Sequence, residues 1–124
     1  MKPVLLAAAA VLALSSAAHA QRESKITGEA LVRLCTAQNP KDIEACTAYV
    51  NGVADAAGVY QRLRPADGSK GAALPAYVCI PGPTTGVQLR QAVITFFRSH
   101  TGEGQRIASG MTLSAFAEAY PCQK

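Results

Sequence analysis

Few side chains in this sequence of 124 residues could do chemistry. His100 is the one histidine after residue 20. A lone imidazole can act as a general base, but it needs a nucleophile or a second acid nearby. Ser99 is its neighbour in sequence, which is not geometry, and no serine sits in a G-x-S-x-G elbow. Cys35, Cys46, Cys79 and Cys122 contain no C-x-x-C pair, which argues against a redox motif or a zinc knuckle. Glu29, Glu44 and Glu118 read as helix-surface charges, and no two carboxylates are set apart for acid–base work. Gly102-Glu103-Gly104 is two glycines in a turn, not a phosphate loop. The residue types therefore point to binding rather than catalysis, with no cofactor and no metal.

The start of the chain places these residues in a compartment. Met1-Lys2, the apolar run Val4 to Leu14 and Ala18-His19-Ala20 before Gln21 form the three-part pattern of a secretory signal peptide. The run is shorter than the roughly 20 apolar residues of a membrane-spanning helix. The expectation is a cleaved signal at residues 1–20, a periplasmic location and no membrane insertion after cleavage. The remaining 104 residues suit one small domain, 21–124. They carry eleven Lys/Arg against eight Asp/Glu, scattered and without a block, so a nucleic-acid partner is not indicated. All four cysteines survive cleavage. An even number in a small exported chain reads as two disulfides.

Four helical segments must position these groups. The first runs from an N-cap at Thr27 to about Gln38, and Asn39-Pro40 breaks it. The second runs from Lys41 or Asp42 to about Leu63. Its apolar residues Ile43, Cys46, Val50, Val53, Ala57 and Tyr60 recur every three or four positions, the helical period. Asn51, Asp55, Gly58 and Arg62 fall on the opposite side. Arg64 to Pro83 is a long Gly/Pro-rich loop without helical period, pinned by Cys79. Loops of that length are often functional. A short extended piece could lie within Ala72 to Ile80. Thr84 or Thr85 caps a third helix to Ser99, a turn follows at His100 to Gly104, and a fourth helix runs from about Gln105 to Ala119. The expected fold is all-α: a small bundle of four main helices stapled by disulfides, with a long loop between helices two and three.

In an antiparallel hairpin Cys35 and Cys46 face each other across the turn, and Cys79 and Cys122 sit near adjoining ends of helices three and four. This layout favours Cys35–Cys46 with Cys79–Cys122. The rival pairing Cys46–Cys79 with Cys35–Cys122 stays open. Gly52 and Gly58 each cost roughly 1 kcal/mol in a helix. They mark a close approach of another backbone, either an internal crossing or a dimer interface. Tyr49 and Tyr60 read as core residues with hydroxyls at the boundary. Asp55 has three readings: a solvated face, a partner for Arg62 or Arg64, or a contact to another protein. His100, ending a helix, reads as a cap that suits the dipole.

The order Leu31-x-x-x-Cys35, Cys46-x-x-Tyr49-x-x-Gly52-x-x-Asp55, Cys79-x-Pro81, His100 and Tyr120-Pro121-Cys122 resembles the Rap/Tai family of type VI secretion immunity proteins. The resemblance covers nearly all of residues 21–124. It implies a small helical periplasmic protein, often a homodimer, that binds a peptidoglycan amidase effector and occludes its site without catalysis. Two features depart from the family pattern. The loop from Arg64 to Ala76 is long, and Thr101 follows His100 where a proline is expected. The candidate partner contacts are Asn51, Asp55 and Arg62 on the exposed stripe, and Gly102, Glu103 and Gly104 at the turn. The alternative reading is a general binding or chaperone-like envelope protein without a toxin partner.

Overall fold

The computed structural model describes residues 26–60 and 78–123. The expected signal peptide at 1–20, Arg62, and the part of the expected loop from Arg64 as far as Tyr77 lie outside the described residues. Four α-helices follow in order: α1 (Gly28–Thr36), α2 (Pro40–Tyr60), α3 (Gly86–Ser99) and α4 (Ala108–Ala119). A 3-10 turn at Thr101–Gln105 joins the last two. The described residues form an all-α bundle, as expected.

Each helix starts for a local reason. The Thr27 hydroxyl accepts from the Ala30 amide at 3.2 Å, an N-cap at the start of α1. Asn39 does the same for α2: its Oδ1 accepts from the Asp42 amide at 3.0 Å. Pro40 is thus the first residue of α2 rather than part of a break. Its fixed φ suits that position, and the donor it lacks would be unpaired there anyway. At α3, Thr85 and Gln88 form a reciprocal capping box. α4 begins at Ala108, three residues later than expected, because Ile107 is engaged elsewhere. The Gly28 amide donates to the Arg106 carbonyl and the Ala108 amide to the Ile26 carbonyl, both at 2.8 Å. This isolated antiparallel bridge, Thr27 with Ile107, ties the starts of α1 and α4 together.

All four helices contribute to one core. Leu31 and Cys35 of α1, Cys46 and Val50 of α2, Val93 of α3 and Phe116 of α4 are fully buried in it. α2 is the longest helix but buries only Cys46 and Val50 completely. Its C-terminal half projects beyond the packed layer, leaving Tyr60 54% exposed. Tyr49 and Val53 pack against the core from its edge. The one buried polar residue among those described, Thr112, satisfies its hydroxyl on the Ala108 carbonyl at 2.8 Å.

The two disulfides pair Cys35 with Cys46 and Cys79 with Cys122, the favoured connectivity. Their Cα atoms stand 5.1 and 4.9 Å apart. The first closes the α1–α2 hairpin inside the core. The second holds the segment entering α3 against the residues leaving α4, and the Cys79 amide donates to the Tyr120 carbonyl beside it at 2.9 Å.

The close helix approaches do not occur at Gly52. A Cβ there would meet nothing within 4 Å, so an internal crossing at that position is corrected. The tight contacts are at Gly28 and Gly86. A Cβ on Gly28 would lie 2.5 Å from the Met111 sulfur, and one on Gly86 would lie 2.7 Å from Thr47 Cγ2.

Candidate functional site

A groove of about 780 Å³ runs along the projecting half of α2. Asn51, Ala54, Asp55 and Gly58 form one wall. Val78 to Gly82 forms the other, and Leu89 of α3 closes one end. The second wall turns back on itself, since the Thr84 amide donates to the Pro81 carbonyl at 3.0 Å. Gly82 and Pro83 are the central residues of this turn. Asp55 is exposed and is the one charged residue lining the groove among the described residues. Asn51 is half-buried, its amide against the first turn of α3, where a Cβ on Gly86 would stand 3.1 Å from Nδ2.

The expected contact residues thus separate into two groups. Asn51 and Asp55 share this groove beside the N-terminus of α3. Gly102, Glu103 and Gly104 lie past the C-terminus of α3, which is 14 residues long and so spans about 20 Å. At that end Gly102 is exposed, with open space around it. Glu103 is half-buried and paired with Arg106. Gly104 is buried, and a Cβ there would stand 3.5 Å from both Glu29 and Phe97. Gly104 therefore shapes the turn from inside, while Gly102 and Glu103 offer its outer surface. The wall Val78–Gly82 was not singled out from the sequence as a contact surface. The signal for it was there, in a cysteine followed by Pro81-Gly82.

A second groove, of about 810 Å³, lies between α2 and α4. Tyr49, Gly52, Val53 and Ala56 face Ser109 and Leu113 across it. Among the described residues, no charged residue lines it. Its rims are apolar, with Tyr60 and Leu113 54% and 40% exposed. Gly52 belongs to this outward surface.

His100 lines neither groove. It ends α3, its amide bonded to the carbonyls of Phe96 and Phe97, so it is the cap that the sequence suggested. Its ring stacks on Phe96 with centroids 4.0 Å apart. Nδ1 lies 2.9 Å from the Phe96 carbonyl and 3.1 Å from the Ser99 hydroxyl, while Nε2 stands 3.8 Å from Glu118. The imidazole is held mainly by its own helix, α3. Among the described residues, the two grooves offer a partner shape and one carboxylate, that of Asp55.

No curated protein and no solved structure matches this chain. A family model does, over residues 27–122: that of the Rap1a immunity proteins. The match spans α1 through Cys122, including both disulfides and both grooves. The chain therefore belongs to the Rap1a immunity protein family.

Proposed function

We propose that the protein is a non-catalytic immunity protein of the periplasm, exported by the signal at residues 1–20. It binds a peptidoglycan amidase delivered by type VI secretion and occludes the amidase site. Family membership over residues 27–122 carries this reading. The grooves support it, since a protein that blocks a site needs a surface of complementary shape. The contact residues on this reading are Asn51 and Asp55 in the first groove, Arg62 beyond the end of α2, and Gly102 and Glu103 at the distal turn, with Gly104 supporting the turn. The two sets lie about 20 Å apart, a distance that one standard-sized interface of about 800 Å² per partner can span. The uncharged groove between α2 and α4 serves self-association into a homodimer.

The test is capture. Oxidised, tagged protein is mixed with the envelope and secreted proteins of its own organism, and bound proteins are identified by mass spectrometry. One dominant partner whose cell-wall amidase activity stops on binding is the expected result. A diffuse set of clients without amidase activity would instead favour a general envelope-binding role. Sedimentation of the protein alone measures the dimer.

A further inference from the structure

The two disulfides differ in where they stand. Cys35 and Cys46 have no solvent exposure, enclosed by the core, and the Cys35 carbonyl accepts from Arg90 Nε at 2.7 Å. Cys79 is exposed and Cys122 is half-buried. Thiol–disulfide exchange requires an incoming thiolate to reach a sulfur. A reductant can therefore meet the second bridge in the folded protein, but reaches the first only after the α1–α2 hairpin opens.

The accessible bridge also holds a functional surface. Val78 to Gly82 is one whole wall of the groove that contains Asn51 and Asp55. Val78 is buried, and the Cys79 amide is bonded to the Tyr120 carbonyl. The covalent link to Cys122 joins this segment to the end of α4 beside that hydrogen bond. Cys122 lies in the irregular segment after α4, whose Tyr120 packs against the core.

We propose that Cys79–Cys122 is a redox clasp on this groove. A dithiol reductant opens it while Cys35–Cys46 stays closed, and opening releases the wall and weakens partner binding. A thiolate of the dithiol attacks the sulfur of Cys79, the more exposed residue of the pair, and Cys122 leaves as a thiolate that takes a proton from water. The second thiol of the reductant then displaces Cys79 from the mixed disulfide. The bridge gains two electrons and two protons, and the dithiol becomes a disulfide. The claim about partner binding rests on the function proposed above; the clasp itself does not.

Two partner-free measurements decide the clasp. The oxidised protein is titrated with dithiothreitol, quenched with N-ethylmaleimide and mapped by peptide mass spectrometry, with helix content followed by circular dichroism. Cys79 and Cys122 are expected to label at least tenfold faster than Cys35 and Cys46, with the helix signal retained. Equal labelling rates, or helix loss in the same step, would overturn the proposal. Hydrogen exchange is then compared between the oxidised protein, the half-reduced protein and a Cys79→Ser, Cys122→Ser double variant. Amides of the 78–84 segment are expected to exchange at least tenfold faster in the last two, while α1 and α2 stay unchanged. If that segment keeps its protection, the bridge does not hold the wall and the clasp is wrong. With a captured amidase in hand, the half-reduced protein should bind it at least tenfold more weakly. Unchanged affinity would remove the regulatory claim while leaving the immunity reading intact, and failure to capture any amidase would count against that reading alone.

Discussion

Gly86 opens α3 directly against Thr47 of α2, so close that a Cβ on the glycine would stand 2.7 Å from the threonine methyl. Thr47 has little freedom to withdraw. It is β-branched, and its hydroxyl donates to the Ile43 carbonyl at 2.8 Å. This contact sets how closely α2 and α3 pack, and so where Asn51 and the groove beside it lie.

Gly86→Ala should therefore destabilise the fold by about 1–3 kcal/mol, the usual cost of overpacking. The better helix propensity of alanine offsets part of that. Each kcal/mol corresponds to a fall of about 4–8 °C in Tm for a domain of this size. Adding Thr47→Ser removes the methyl and keeps the hydroxyl, so the double variant should regain most of the loss. A thermal melt in which Gly86→Ala alone is neutral would contradict the packing described.

Gly52→Ala should have the opposite sign. It lies in the interior of α2, where glycine costs about 1 kcal/mol relative to alanine, and nothing stands within 4 Å to resist a methyl group. The expected outcome is a gain of up to about 1 kcal/mol in denaturant unfolding. If the groove between α2 and α4 is the dimer surface, the same variant weakens self-association in sedimentation. A loss of monomer stability would show that the position is not open.

His100 should matter for stability and not through reaction chemistry. His100→Ala loses the stack on Phe96 and the bond to its carbonyl, and should cost about 1–2 kcal/mol. His100→Phe keeps the stack and should cost less. Chemical denaturation of the two variants separates the contributions, and equal losses would mean that the stack contributes little.

Asp55 should separate binding from folding. It is exposed, with no ion-pair partner among the described residues, so Asp55→Arg should change stability by no more than about 0.5 kcal/mol. Against the captured partner the same variant should weaken binding at least tenfold, measured by calorimetry. Full affinity in Asp55→Arg would remove the first groove from the interface. Glu103→Ala tests the distal turn, with unfolding measured beside binding because Glu103 is paired with Arg106.

Much of this molecule is decided locally, and was legible for that reason. The apolar positions of α2 recur at the helical period over its whole length, so its identity as a helix needs no neighbour. The caps at Thr27 and Thr85 depend on residues within three positions. Cys35 and Cys46 are 11 residues apart across one hairpin turn, which favoured their pairing over the rival one. What depends on neighbours distant in sequence became visible only in three dimensions. Gly52 and Gly86 are the same residue type in or at the start of a helix. One faces open space and the other a methyl group, because only packing decides which side of a helix meets another. Gly104 looked like the exposed tip of a turn, yet it is buried against α1 and α3. The start of α4 moved to Ala108 because Ile26 and Arg106, 80 positions apart, bond the residues around them into a bridge. The candidate contacts sort into two surfaces for the same reason: α3 stands between them, and its direction in the bundle is a tertiary fact.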